Sequence, residues 1–177
     1  AVMEWIVKNA HRYHLDPDRI ILLGDSAGAQ MTSQFAAMMT NPEYGQLFGL
    51  KLAKVRIRAI GLFCGLYDLS ARGKMPRQGM YKDYFGKLPI EDPRFRCLES
   101  ITEDYPPAFI VTAAEDFLRD QAEPMYNFLR AKGLEAQWKC YGQEGDRKVG
   151  HVFHVNILLP EAVECNDDAA EFFRRYV

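Results

Sequence analysis

The sequence predicts an α/β fold in which a mostly parallel sheet is flanked by helices on both faces. Short, continuously apolar runs are typical of strands buried on both sides, and amphipathic segments of helical length lie between them. Strands that alternate with helices imply right-handed βαβ crossovers and hence parallel strands. A length of 177 residues favours a single domain over residues 1–177.

The first part of the chain predicts a helix, a strand and a second helix. Apolar residues at helical spacing predict a helix over residues 1–13, which Pro17 ends because proline cannot continue the hydrogen-bond ladder. The apolar run 20–23, closed by Gly24, predicts the first buried strand. Helical spacing then returns over residues 27–40, before a turn.

The alternation continues to the end of the sequence. Residues 135–141 alternate polar and apolar side chains, as an exposed edge strand does. A long irregular segment at 65–107 exceeds an ordinary connection and is expected to cover a functional region. The remaining elements are predicted as strands at 57–63 and 108–113 and helices at 120–132 and 160–176.

Charge and hydropathy exclude several classes of partner. Lys and Arg total 22 and Asp and Glu total 24, so the formal net charge is −2. Such a balanced chain has no broad field for nucleic acid or an anionic membrane. The longest apolar runs fall far short of the roughly 20 residues of a membrane span. We therefore expect no nucleic-acid partner and no membrane span.

The cysteines give no sign of a metal site. Cys64, Cys97, Cys140 and Cys165 are far apart in the sequence, and no Cys or His cluster has the spacing of zinc ligands. Scattered thiols fit a reducing compartment, which favours the cytoplasm. The sequence begins inside a predicted helix, so it leaves localisation open.

The motif with the clearest chemistry is Gly24-Asp25-Ser26-Ala27-Gly28, a G-x-S-x-G pattern between a predicted strand and helix. A serine on such a turn is exposed in a strained conformation, and we expect Gly24 and Gly28 to give it clearance. The helix start directs N–H groups at a developing oxyanion, with the Ala27 amide as first donor. Asp25 is expected to brace the turn.

A serine nucleophile needs a base that is oriented by a carboxylate. In this fold class the acid and the histidine follow the serine in that order, each beyond the C-terminal end of a strand. Asp116 lies directly past the third predicted strand, and His151 lies after the fourth. His154 is an alternative base. Asp120 is a rival acid that is more readily explained as a helix N-cap.

These motifs, in this order, resemble the hormone-sensitive-lipase-like esterases of the α/β-hydrolase superfamily. Residues 116–120 are similar to the D-P-L-R-D acid motif of that family, with Phe117 in place of proline. Residues 151–153 are similar to its H-G-F motif, with Val152 in place of glycine. The segments 15–20, 67–69 and 84–86 also fit the family pattern. The resemblance covers nearly the whole chain.

The resemblance implies that Ser26 is the nucleophile, Asp116 the orienting acid and His151 the base. It also implies an H-G-G-G loop that supplies the second oxyanion donor, together with the first strands of the sheet. This sequence contains no such run, so it matches the C-terminal part of the family's fold. The strand at 20–23 is then expected to be an apolar edge that favours self-association. A monodisperse monomer in size-exclusion chromatography would contradict that expectation.

The leading interpretation is hydrolysis of a small-molecule carboxylic ester through an acyl-serine intermediate, without a metal or organic cofactor. A serine peptidase on the same fold would share the triad, and substrate comparison distinguishes the two. A non-catalytic binding module, or an inactive fragment, is the third alternative. A fluorophosphonate probe separates it from an enzyme, because labelling requires an activated hydroxyl.

Overall fold

The computed structural model describes residues 1–68, 83, 86, 88–89 and 91–177. Its described residues include one parallel sheet of four strands in the order β1-β2-β3-β4. The parallel sheet predicted from the sequence is confirmed. Its strands are β1 (Ile20–Asp25), β2 (Ile57–Phe63), β3 (Ala108–Ala113) and β4 (Ala136–Tyr141).

The helices before β2 lie close to their predicted positions. Helix α1 spans Val2–Tyr13 and ends at His14 in the left-handed conformation, and α2 spans Ala27–Thr40. A short helix that was expected only as a turn, α3 (Pro42–Gln46), follows directly. Its first turn is stabilised by the Asn41 side chain, which accepts a hydrogen bond from the Tyr44 amide.

The helices after β3 begin or end a little differently from the prediction. A 3-10 turn at Arg119–Gln121 precedes helix α4, which spans Ala122–Ala131. The expectation that Asp120 caps this helix is wrong, because Asp120 lies inside that turn with its side chain 97% exposed. Helix α5 spans Pro160–Arg174 and closes the chain.

The two central strands are buried on both faces, and this packing fixes their position and register in the sheet. Along β2, Ile60 and Leu62 pack with residues of α2 and α4, whereas Ala59 and Phe63 pack with residues of α5. Strand β3 alternates in the same way, and all six of its residues are buried. The carboxyl ends of these strands are therefore held at one edge by two packed layers.

Strand β1 pairs with β2 alone within the described part of the chain. Leu23 is half exposed on this strand. An edge of this kind is a template for pairing with another strand, so the expected self-association stays a prediction. The interpretation of 65–107 as one irregular segment also stays a prediction, because residues 69–82, 84–85, 87 and 90 lie outside the described ones.

Two further expectations concern membranes and thiols. No helix among the described residues has both the length and the apolar character needed to cross a bilayer. All four cysteines of the chain carry free thiols. Cys140 is exposed, and the other three, Cys64, Cys97 and Cys165, are buried.

Candidate active site

Ser26 occupies the turn between β1 and α2 with an unusual backbone conformation, φ 53° and ψ −117°. Its N–H donates to the Phe63 carbonyl oxygen at 2.8 Å, so the end of β2 holds one side of the turn. Its own carbonyl accepts from the amides of Ala29 at 3.1 Å and Gln30 at 3.2 Å, the first bonds of α2. The strain expected from the G-x-S-x-G motif is therefore present and is held from both sides.

Gly24 gives this turn its clearance. A Cβ atom on Gly24 would lie 2.2 Å from the carbonyl oxygen of Gly28, a backbone contact that could not be relieved by moving a side chain. A Cβ atom on Gly28 would meet nothing within 4 Å among the described residues, so the clearance expected there is not required by them. Asp25 is exposed at the end of β1, and Ala27 is the first residue of α2.

Asp116 lies just past β3 with its side chain fully buried. Its Oδ1 accepts from the Leu118 amide at 3.0 Å, and its Oδ2 accepts from the Thr112 hydroxyl at 3.0 Å. A buried carboxylate needs such donors, because burial without them is costly. Thr112 did not enter the sequence-based prediction. The available signal was a hydroxyl residue inside an otherwise apolar, buried strand.

His151 connects Asp116 to Ser26. Its Nδ1 lies 2.7 Å from Asp116 Oδ1, and its Nε2 lies 2.8 Å from Ser26 Oγ. An ionised carboxylate can only accept hydrogen bonds, so Nδ1 carries the ring proton and Nε2 accepts from the serine hydroxyl. The three side chains that the sequence singled out form one continuous hydrogen-bonded chain.

The loop that carries His151 is tied to the loop that carries Asp116. Glu115 and Gly150 form an isolated parallel bridge, and the Glu115 carboxylate accepts from the Gly145 amide at 2.7 Å. Arg119 adds an ion pair to Glu144 at 3.1 Å. These contacts join the two loops beyond the sheet and fix the separation of the acid from the imidazole.

The alternative base, His154, has a different environment. Its ring packs against Phe63 with 4.6 Å between centroids, and its buried Nδ1 has no hydrogen-bond partner among the described residues. Burial lowers the pKa of His154 below its ordinary value, against a smaller opposing effect of Asp25. The acceptor described for the Ser26 hydroxyl is Nε2 of His151.

Backbone strain is concentrated around this site. Ser26, Cys64 and Val152 all have positive φ, at 53°, 51° and 54° respectively. Positive φ is particularly unfavourable for a β-branched residue. The resembled family has glycine where this chain has Val152, so the structure shows why glycine suits that position.

Cys64 lies beside the acid and the histidine. Its Sγ, a carboxylate oxygen of Asp116 and a ring nitrogen of His151 all lie within 4.8 Å of one another. Burial, and then the Asp116 charge, raises the pKa of the Cys64 thiol well above its ordinary value. Sulfur, oxygen and nitrogen atoms are ligands that suit zinc. Asp116 and His151 already hydrogen bond to each other, so a zinc ion on Nδ1 of His151 would displace the proton of that hydrogen bond.

The chain is similar to known hydrolases. A family model described as alpha/beta hydrolase fold matches residues 1–155. An acetyl esterase of Salmonella paratyphi B is 28% identical over 191 residues, a match that covers 98% of this chain and 54% of the relative. The chain thus spans about half the length of the curated relatives it matches.

Solved structures agree in fold. An inhibited esterase B from Lactobacillus rhamnosis superposes with a TM-score of 0.85 at 21% identity, covering 99% of this chain and 59% of that one. The carboxylesterase Cest-2923 of Lactobacillus plantarum superposes with a TM-score of 0.79 at 19% identity, covering 98% and 64%.

The two glycines of the turn provide a matched pair of variants. Gly24→Ala should lower the free energy of unfolding by about 3 kcal/mol, because the new methyl group overlaps the Gly28 carbonyl. Gly28→Ala should cause no loss, since none of the described residues lies within 4 Å of its methyl group. Urea denaturation monitored by circular dichroism measures both, and equal losses in the two variants would contradict this explanation of the turn.

Proposed function

This chain belongs to the alpha/beta hydrolase fold family, and from that premise we propose that it hydrolyses small-molecule carboxylic esters through an acyl-serine intermediate. The observation that carries the proposal is the continuous hydrogen-bonded chain from Asp116 through His151 to Ser26. Named esterases among the similar proteins support ester rather than peptide substrates.

In the proposed acylation, Ser26 Oγ attacks the ester carbonyl carbon while its proton passes to His151 Nε2, 2.8 Å away. The carbonyl oxygen becomes an oxyanion. When the tetrahedral intermediate collapses, the bond from carbon to the alcohol oxygen breaks and the imidazolium returns the proton to the leaving alcohol. The acyl group remains on Ser26 as an ester.

Deacylation repeats the same transfers with water as the nucleophile. His151 accepts a proton from the water, whose oxygen attacks the acyl carbon. The proton then passes to Ser26 Oγ as the carboxylic acid is released, which restores the starting hydroxyl. Serine, imidazole and carboxylate supply all the groups that these steps use, so no metal or organic cofactor takes part in the proposal.

Asp116 keeps the imidazole in the required tautomer and stabilises its charged form. The buried carboxylate is itself held by Thr112 and by the Leu118 amide, so the imidazole has a fixed partner. The Ala27 amide, at the start of α2, is the proposed first oxyanion donor, where the helix dipole also favours negative charge.

Removal of the nucleophile is the first test. In the protein that carries this chain, Ser26→Ala should lower kcat for p-nitrophenyl acetate at least about 1,000-fold, because no hydroxyl remains to form the acyl-enzyme. Ser100→Ala is the matched control, since its hydroxyl bonds the Arg96 carbonyl instead. Turnover by a folded Ser26→Ala protein at the unaltered rate would remove Ser26 from this role.

The two histidines are distinguished by parallel alanine variants. His151→Ala should lower kcat by at least about 1,000-fold, because Ser26 loses its base. His154→Ala should lower kcat less than about tenfold, since its ring packs on Phe63. Initial rates with the same acetate ester measure both, and a larger loss in His154→Ala would assign the base to residue 154.

Thr112 tests the support of the acid. Thr112→Val keeps the side-chain shape but removes the hydrogen bond to Asp116 Oδ2, so kcat should fall about 10- to 100-fold with little change in KM. Thr112→Ser keeps the hydroxyl and should retain most of the activity. Wild-type kcat in a folded Thr112→Val protein would show that this hydrogen bond does not support catalysis.

A further inference from the structure

Phe117 is a large apolar side chain that the structure leaves in solvent beside the reacting groups. It directly follows Asp116, and the residue is 65% exposed. Its ring lies against the His151 imidazole, with 4.2 Å between the two centroids and 42° between the two planes. Removing an exposed phenylalanine from water is favourable, so a bound molecule that covered Phe117 would gain free energy from the contact.

The geometry points to Phe117 as the side chain that contacts the alcohol part of the ester and favours apolar alcohols. This inference rests on the proposed function and adds a substrate preference to it. It concerns the leaving group alone, because the acyl group is bonded to Ser26 and its oxyanion is directed to the start of α2.

The path of the proton places the alcohol near Phe117. His151 returns its proton from Nε2 to the leaving oxygen, so that oxygen must come within about 3 Å of Nε2. The first carbons of the alcohol then lie beside the imidazole, against which the Phe117 ring packs at a tilt. An exposed aromatic ring next to that point is placed to bury the rest of the alcohol.

The chemistry of the ring defines the preference. Phenylalanine has no hydrogen-bond donor or acceptor, so it stabilises a bound alcohol through burial of apolar surface and dispersion. An alkyl chain gains from this contact, whereas a polyether chain of similar length must lose part of its hydration. The side chain should therefore discriminate between alcohols and have little effect on discrimination between acyl groups.

A role in orienting the imidazole is the main alternative for the same contact. The neighbouring phenyl ring restricts the His151 imidazole, and it would stabilise a cationic imidazolium whichever ester reacts. Loss of that role would lower the rate for all esters by one common factor. Ratios of kcat/KM between paired esters separate the two roles, because a common factor cancels.

The experiment uses two pairs of esters and pH-stat titration of the acid released by the protein that carries this chain. Hexyl acetate and 2-(2-methoxyethoxy)ethyl acetate differ in their alcohol, and ethyl hexanoate and ethyl acetate differ in their acyl group. The wild type should prefer hexyl acetate. Phe117→Ala should lower the alcohol ratio about tenfold, the size of effect that one or two lost methylene contacts cause, and change the acyl ratio less than twofold.

Phe117→Leu, which keeps an apolar contact, should hold the alcohol ratio within about threefold of wild type. If Phe117→Ala does not fold, Phe117→Gln replaces it as a variant of similar length without an apolar ring. Unchanged ratios in the folded variant, or a change in the acyl ratio instead, would overturn the inference. Failure of the proposed function is a separate result, since it appears as full activity in Ser26→Ala.

Discussion

The hydrogen bond between Asp116 and His151 is the interaction on which the arrangement of the site depends. At 2.7 Å it joins a buried carboxylate to an imidazole 35 residues further along the chain. It fixes the ring so that the other nitrogen faces the Ser26 hydroxyl. The bond is possible because parallel strands present their carboxyl ends at one edge, where the acid, histidine and serine loops meet.

The site combines a rigidly packed sheet with strained loops at the ends of its strands. Central strands packed on both faces hold the loops in place, and the loops adopt conformations that the residues themselves disfavour. Positive φ at Ser26, Cys64 and Val152 is maintained by neighbouring contacts, including backbone hydrogen bonds from Ser26 to β2 and from Cys64 to β3. Strain of this kind persists where the surrounding structure over-determines the backbone, as it does at functional sites.

The sequence predicted the elements whose hydrophobic pattern is unambiguous. The observed bounds of α2, β2 and β3 match the predicted ones, because the fold buries the apolar side chains that defined the prediction. The sequence also predicted that Ser26, Asp116 and His151 follow the ends of strands in that order. Helix α3 and the 3-10 turn at Asp120 depend on local capping and turn contacts. The hydrogen bond from Thr112 depends on the direction of its side chain. None of these features produces a periodic pattern in the sequence, so the sequence did not predict them.

Activation of one hydroxyl by one imidazole is the central claim, and covalent labelling measures it most directly. A fluorophosphonate probe reacts with a serine whose hydroxyl an adjacent base activates. Mass spectrometry of the labelled, digested protein should find the adduct on Ser26, and labelling should be lost in a folded His151→Ala variant. A protein that stays unlabelled, or that is labelled as quickly without His151, would contradict the claim.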